Sequence, residues 1–164
     1  MALCERLQRL FDDGHAVYRL VPHAEAFTAA ATAATSHIPG RELAKVVLLR
    51  TDDGSLLMVA LPTPAWLDLG AMARAMGRRG LRLATEAEFA PWFPDCEAGA
   101  MPPFGRLYGL PLHLDPCLAA GREIAFQAGN HHEVVVMDLA EYERLARPIV
   151  ASRCLHRARS RAAS

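Results

Sequence analysis

A predicted hairpin constrains the fold more than any other stretch of this sequence. Two apolar runs, residues 45–49 and 56–61, flank the segment Asp52-Asp53-Gly54-Ser55. Asp-Gly tolerates the positive φ angles of a tight turn, so the two runs are predicted to pair as antiparallel strands. Uninterrupted apolar runs of this length are typical of buried strands. The hairpin therefore predicts a sheet whose strands are covered by other parts of the chain.

The rest of the sequence predicts short strands interleaved with short helices. Further strand patterns occupy residues 16–21, 81–84, 110–114, 124–127 and 134–137. Helical patterns occupy residues 2–12, 25–36, 69–76, 85–93, 116–120 and 139–147. Strands outnumber the crossover helices that a doubly wound parallel sheet needs. We therefore expect a mixed α/β (α+β) fold, in which short helices surround a curved, mostly antiparallel mixed sheet of six or seven strands, or a partly open barrel.

Length and charge indicate one domain with a distinct C-terminus. A chain of 164 residues fits a single domain that buries roughly 70% of its unfolded surface, which we place at residues 1–150. Residues 151–164 carry four arginines and no acid, and we expect a disordered basic tail there. Removing those four from the 18 basic residues leaves 14 against 18 acidic ones, a net charge of about −4. Such a core does not bind nucleic acid through bulk charge, and we expect no DNA binding.

The sequence contains no pattern for a membrane, a metal or a cofactor. No apolar run approaches the eighteen or so residues of a membrane span, and the first residues lack a signal-peptide pattern. We therefore expect a cytoplasmic protein without a membrane partner. The four cysteines, Cys4, Cys96, Cys117 and Cys154, show neither a CxxC motif nor zinc-ligand spacing. We expect reduced, mostly packing thiols, no metal site and no cofactor.

Lys45 is the first candidate functional residue, because it is the only lysine among 18 basic residues. An ammonium is a compact point charge, whereas guanidinium is a wide planar fork, so the two differ most in a confined pocket. Lys45 opens the apolar run 45–49, where a charge is costly unless it meets an anion or several acceptors. The alternative is a lysine that extends from a strand end to water.

Two irregular segments are the other candidates. Residues 94–106 contain three prolines and two glycines, so several backbone groups there cannot join a helix or a central strand. The turn at residues 128–133 carries His131 and His132, whose spacing does not suit two ligands of one metal. Cys96 beside the first segment leaves open a cysteine–histidine nucleophile. Walker, GxGxxG, GxSxG and HExxH signatures do not occur.

Three segments carry a resemblance to a known family. They are Gly-Arg-Glu-Leu-Ala-Lys-Val-Val-Leu-Leu (residues 40–49), Asp-Cys-Glu-Ala-Gly-Ala-Met-Pro-Pro-Phe-Gly (95–105) and Phe-Gln-Ala-Gly-Asn-His-His-Glu (126–133). In this order and spacing they resemble the YbaK/ProX family of aminoacyl-tRNA deacylases, a module that also forms the editing insertion of bacterial prolyl-tRNA synthetases. The resemblance covers roughly residues 15–148 and implies the editing-domain fold.

The resemblance also implies an activity and a site. It implies a freestanding trans-editing hydrolase that cleaves the ester between a wrong amino acid and the 3′-terminal ribose of a tRNA. Lys45 matches the family's functional lysine, which engages the acceptor end near its phosphate. Gly99 begins the GxxxP loop that positions the attacking water or the aminoacyl group, and His131 falls where some members carry a pocket histidine. Substrate contacts are expected from Ala100, Met101, Pro103, Phe104, Gly129 and Asn130.

Two functions stay open on the sequence. One is the deacylase, with the acceptor end of mischarged tRNA as substrate and an aminoacyl-tRNA synthetase as a partner. The other is a binding module of the same fold that holds aminoacyl-tRNA or a synthetase without turnover. Val46 stands where some relatives have threonine or another polar residue, and the segment Ala100-Met101-Pro102 lacks the Ser or Thr of other members. The identity of the amino acid therefore does not follow from the resemblance.

Overall fold

The computed structural model describes residues 3–157. Within this range the helices are α1 (Glu5–Asp13), α2 (Ala29–Ser36), α3 (Leu69–Met76), α4 (Glu86–Phe89), α5 (Pro116–Ala119) and α6 (Leu139–Ala146). The strands are β1 (Arg19–Pro22), β2 (Leu43–Thr51), β3 (Leu56–Pro62), β4 (Trp66–Leu67), β5 (Leu81–Leu83), β6 (Leu112–Leu114), β7 (Glu123–Gln127), β8 (Glu133–Asp138), β9 (Ile149–Val150) and β10 (His156–Arg157). Short 3₁₀ turns occupy Ala90–Trp92 and Gly105–Tyr108.

The main sheet is open and mixed, as the sequence predicted. Among the described residues it has eight strands in the order β1-β8-β7-β2-β3-β6-β9, with β5 also paired to β2. Its β1–β8, β2–β3, β2–β5 and β7–β8 pairs are antiparallel, and its β2–β7, β3–β6 and β6–β9 pairs are parallel. The extra strand beyond the predicted six or seven is β9, a two-residue edge strand that follows a proline. The predicted hairpin is confirmed as β2–β3.

Strand β2 has an opening beside it. Along one side it pairs with β3 over residues 44–50. On its other side β7 pairs only at Leu43 and Ala44, and β5 begins to pair at Leu49. Within residues 3–157, positions 45–47 therefore have no strand neighbour on that side. The opening exposes backbone and side-chain groups of β2 at Lys45, in the middle of an otherwise covered sheet.

The core lies on both faces of the sheet. All seven residues of β3 are buried, which explains why its sequence is continuously apolar rather than alternating. One face packs against α1, α6 and a cluster of aromatic rings that includes Phe11, Phe104 and Tyr142. The other face packs against Met72 of α3. Both faces of the sheet are therefore covered, and β2 lies between packed layers on either side of it.

Helix starts follow local capping chemistry. A capping box begins α4: the Thr85 hydroxyl accepts the Glu88 backbone N–H, and the Glu88 carboxylate accepts the Thr85 backbone N–H. Helix α2 begins at Ala29 rather than at residue 25, because the Thr28 side chain caps it by accepting the Ala31 backbone N–H. Every helix among the described residues is too short to cross a bilayer.

The expectation of a disordered tail is wrong for residues 151–157. Leu155 is 1% exposed and packs in the cluster beneath α3, and β10 pairs antiparallel with β4. Arg157 Nε also donates to Asp68 Oδ2 at 2.9 Å. Trp66 therefore lies in a strand, β4, because the tail supplies its partner. The rest of the predicted tail, residues 158–164, lies outside the described residues.

Candidate functional site

Lys45 lies half-buried at the opening beside β2. Its Nζ donates a hydrogen bond to the Ala65 carbonyl and lies 5.9 Å from the centroid of the Trp66 ring. A carbonyl oxygen and an aromatic face are both acceptors for a cation, so the ammonium is held within the protein. The alternative of a lysine that simply extends into water does not describe this position.

The loop that contains Gly99 is joined to the turn that contains Gly129 by backbone hydrogen bonds. Glu97 N donates to Gly129 O at 2.8 Å, and Gly129 N donates to Ala100 O at 2.8 Å. Within the loop, Ala100 N donates to Glu97 O at 3.0 Å. The second and third segments of the family resemblance therefore form one unit, although about thirty residues separate them in the sequence.

Glycine is required at both positions of this unit. Gly99 has φ +81° and Gly129 has φ +103°, which L side chains rarely adopt. A Cβ on Gly129 would lie 2.6 Å from Cβ of Cys4, whose backbone N donates to Ala128 O at 2.9 Å. The start of α1 therefore lies in direct contact with the turn, and only glycine at position 129 leaves room for Cys4.

Lys45, Gly99 and Met101 line one cleft of about 190 Å³. Its other walls are Leu43, Ala44 and Val46 of β2, Ala29 and Thr32 of α2, and Gln127 at the end of β7. The structure therefore brings the predicted lysine together with the predicted loop. The sequence prediction missed two polar members, Thr32 and Gln127, whose side chains share a hydrogen bond of 3.1 Å. The run of alanine and threonine in α2, which lets the helix lie close to the sheet, could have indicated Thr32.

His131 and Asn130 support the loop from behind. His131 is 3% exposed, its Nε2 hydrogen-bonds the Ala98 carbonyl at 2.8 Å, and its ring lies 4.9 Å from that of Phe27. The Asn130 Oδ1 accepts the backbone N–H groups of residues 132 and 133, each at 2.9 Å. Neither side chain lines the cleft. Their geometry fits positioning of the Gly99 loop better than the expected direct contact with substrate.

Three of the expected substrate contacts belong to the core. Phe104 is fully buried, with its ring centroid 5.3 Å from those of Phe126 and Tyr142. Ala100 is also fully buried, and the Pro103 carbonyl accepts the Tyr142 hydroxyl at 2.9 Å. The apolar end of the loop therefore anchors it, while Gly99 and Met101 alone among its residues line the cleft. Sequence reasoning did not separate these two roles.

The cleft offers hydrogen-bond donors but no activated nucleophile. Within residues 3–157, neither the Gly99 nor the Met101 backbone N–H donates to another group. Cys96 does not line the cleft, and its hydrogen bond with Cys4 and its burial raise the pKa of its thiol well above the usual range. The cysteine–histidine hypothesis is therefore disfavoured, because a nucleophilic cysteine needs a lowered pKa.

Groups of potential metal ligands lie away from the cleft. In the described part of the chain they are Cys4, Asp95 and Cys96 on one side, and Asp115, Cys117, Cys154 and His156 on the other. The fold therefore brings Cys4 close to Cys96, and Cys117 close to Cys154, although these cysteines are far apart in the sequence. Neither group includes a residue of the Lys45 cleft.

Comparison with known proteins agrees with this geometry. The profile of the aminoacyl-tRNA editing domain matches residues 23–145, and the chain belongs to that family. A provisionally assigned trans-editing enzyme for prolyl tRNA synthetase has a similar structure, with TM-score 0.75, 24% identity and coverage of 90% of this chain and 94% of that one. The hypothetical protein APE2540 is also similar, with TM-score 0.77, 19% identity and coverage of 90% and 97%.

A third similar structure shows the same fold within a longer chain. It is a provisionally assigned signal transduction protein from Marinobacter aquaeolei VT8, with TM-score 0.72 and 21% identity. The match covers 94% of this chain and 31% of that protein. A search of curated proteins finds no significant match.

Proposed function

We propose that this protein is a freestanding, cytoplasmic trans-editing deacylase of the YbaK/ProX type. Its substrate is a tRNA that carries a wrong amino acid, and the Lys45 cleft receives the 3′ end. The observation that carries the proposal is the shared cleft, which is lined by Lys45, Gly99 and Met101. Membership of the editing-domain family supplies the class of reaction.

The reaction requires few protein groups. Water attacks the ester carbonyl carbon, the bond to the ribose oxygen breaks, and that oxygen takes up a proton. Negative charge develops on the carbonyl oxygen in the transition state, where fixed donors are most effective. The Gly99 and Met101 N–H groups donate no hydrogen bond among the described residues and belong to residues that line the cleft, so they are our candidate donors. When the attacking water is held in position, the reaction needs no strong nucleophile from the protein.

Lys45 has the role of holding the terminal phosphate. In the free protein its ammonium is bound by the Ala65 carbonyl, a neutral acceptor that a phosphate oxygen can replace with a stronger charge-assisted contact. An ammonium fits this confined place, whereas the planar guanidinium of arginine needs a wider site. This difference explains a lysine here in a chain that otherwise uses arginine.

Two exposed aromatic rings pack near the cleft, although neither lines it. Trp66, 59% exposed, lies beside Lys45, and Phe27, 69% exposed, packs on His131 behind the Gly99 loop. Single-stranded RNA ends are commonly held by stacking of bases on such rings. We propose that Trp66 or Phe27 stacks with the terminal bases, and that the acceptor end rather than the body of the tRNA supplies most of the affinity.

The size of the cleft limits the amino acid. A volume of about 190 Å³ lies below the range of roughly 300–1,000 Å³ found for drug-sized ligands. We therefore propose that the edited amino acids have small side chains. These are the substrates for which editing is needed, because a missing methylene gives a synthetase only about 1–3 kcal/mol of discrimination. A synthetase that supplies mischarged tRNA is the corresponding partner.

Deacylation measured over a panel of mischarged tRNAs tests the proposal. Wild type should hydrolyse at least one small aminoacyl-tRNA, and both Lys45→Ala and Lys45→Arg should lose this activity while remaining folded. Arg41→Ala is a matched control, since it removes an exposed cation two residues before β2 and should retain activity. Failure of every substrate, combined with specific binding of aminoacyl-tRNA, would instead support the non-catalytic binding module.

A further inference from the structure

A second group of reactive side chains lies outside the lining of the Lys45 cleft. It is built from two local pairs, Asp115 with Cys117 at the start of α5, and Cys154 with His156 at β10. The ligand atoms of all four residues lie within 4.8 Å of one another. Two thiols, an imidazole and a carboxylate thus converge at one point, and the proposed deacylation uses none of them.

A buried carboxylate orients the imidazole of this group, as the partners of ligand side chains do in metal sites. His156 Nδ1 lies 2.7 Å from Asp115 Oδ2, which leaves Nε2 as the free ring nitrogen. Metal-binding histidines almost always donate their other ring N–H to such a carboxylate. Cys154 Sγ lies 3.3 Å from His156 Nδ1 and 3.6 Å from His156 Nε2, so the thiol must turn away from Nδ1 before Sγ and Nε2 bind one ion. Cys154 is exposed, which leaves room for this rotation.

We propose that Cys117, Cys154 and His156 bind a zinc ion, with Asp115 as the residue that positions the site. Asp115 is fully buried, and both its oxygens already accept hydrogen bonds: Oδ1 from Cys117 N at 2.8 Å, and Oδ2 from Leu155 N at 3.0 Å and from His156. It therefore fixes both ligand-bearing segments without binding the ion. Two thiolates, one imidazole and a water molecule complete a tetrahedral set.

Zinc accounts for these contacts better than a disulfide does. A Cys117–Cys154 disulfide needs an external oxidant and would use neither the imidazole nor the carboxylate, which are both directed to this point.

The site connects the C-terminal strand to the body of the protein. Leu155, between Cys154 and His156, is buried, and β10 pairs with β4, which carries Trp66. A bound ion would hold β10 against β4 and so keep Trp66 beside Lys45. The zinc site is independent of the proposed deacylation, but it supports the same region of the surface.

Metal analysis of the full-length protein tests the inference. Protein purified with a reductant and then exposed to zinc should retain one ion per chain. Replacement by cobalt should give the absorption of tetrahedral cobalt with thiolate ligands. Cys154→Ser and His156→Ala should lose the ion, and Asp115→Asn should weaken zinc binding about 10- to 100-fold. Cys96→Ser is the matched control, because it removes a thiol from the other cysteine group and should retain the ion.

Three results would overturn the inference. The first is zinc retained by the Cys117→Ser/Cys154→Ser double variant, which would indicate adventitious binding. The second is zinc lost by Cys96→Ser but kept by Cys154→Ser, which would place the ion at Cys4 and Asp95. The third is a Cys117–Cys154 disulfide in the purified protein that forms instead of a zinc complex when the reductant is removed. The cobalt spectrum of the unmodified chain keeps the test valid if a variant fails to fold.

Discussion

The hydroxyl of Tyr142 donates a hydrogen bond of 2.9 Å to the carbonyl of Pro103. Both groups are buried, and the bond connects α6 to the end of the loop that begins at Gly99. Prolines and glycines prevent this loop from forming its own ladder of hydrogen bonds, so contacts of this kind determine its path. The position of the cleft therefore depends on a helix that contributes no residue to it.

Tyr142→Phe should destabilise the protein by about 1–3 kcal/mol, because it leaves the Pro103 carbonyl buried without a donor. Denaturant unfolding measures this loss. Tyr18→Phe is the matched control: Tyr18 is half-buried, and its hydroxyl has no hydrogen bond within the described range. Equal stability losses in the two variants would show that the Pro103 contact contributes nothing specific.

Gly129→Ala should be much more damaging than Gly77→Ala. Both glycines have positive φ, +103° and +64°, so alanine is strained at either position. At Gly77 nothing lies within 4 Å of the added Cβ, and the strain of about 1–2 kcal/mol is the whole cost. At Gly129 the Cβ would meet Cys4, which adds about 1–3 kcal/mol of overpacking.

Unfolding free energies of the two glycine variants check this difference. Gly129→Ala should also lower deacylation, because the turn that it displaces holds Ala100 through a backbone hydrogen bond. Gly77→Ala should leave deacylation unchanged in protein that is folded. A Gly129→Ala variant as stable as Gly77→Ala would mean that the start of α1 moves freely away from the turn.

The sequence predicted the strands and helices that depend on local patterns. The β2–β3 hairpin follows from its turn residues, and the α4 capping box follows from Thr85 and Glu88. Strands β4, β9 and β10 have only two residues each, so they show no periodicity, and each forms because a distant segment supplies its partner. The burial of Leu155 was also not predicted, because the arginines around it in the sequence indicated disorder.

The site was predicted in part for the same reason. Residues 45 and 99 could be identified from the sequence, as an unusual lysine and as part of an irregular loop. That both line one cleft could not, because the cleft depends on the opening between β7 and β5. Thr32 and Gln127 were missed because each is an ordinary residue of its own element. Cys117 and Cys154 are 37 positions apart, so no local spacing could pair them.

Trp66→Ala should weaken binding of the acceptor end by about 1–3 kcal/mol if a terminal base stacks on its ring. A short RNA hairpin that carries only the acceptor stem and the CCA end is the probe, since it isolates the 3′ end from the body of the tRNA. Trp92→Ala is the matched control, because Trp92 is also exposed, at 45%, but lines a different cleft, whereas the Trp66 ring lies beside Lys45. Equal effects of the two substitutions would contradict the stacking role.

Glu88→Gln should lower the melting temperature at neutral pH but not near pH 2. The Glu88 carboxylate accepts from Arg82, which is the largest effect, and from the Thr85 backbone, and these contacts lower its pKa from 4.5 to about 2. Arg50 adds a further ion pair at 3.1 Å. A lowered pKa in the folded state means that the contribution to stability is present above pH 4.5 and is lost as pH falls toward 2.

Thermal unfolding of wild type and Glu88→Gln across this pH range checks the sign. The difference between them should be constant above about pH 5 and should shrink as the carboxylate is protonated. Glu86→Gln is the control, since Glu86 lies in the same first turn of α4 and has no ion pair with another described residue. Protonated glutamate and glutamine are both uncharged. A stability difference that persists at pH 2 would therefore mean that Glu88 stabilises α4 through its neutral form.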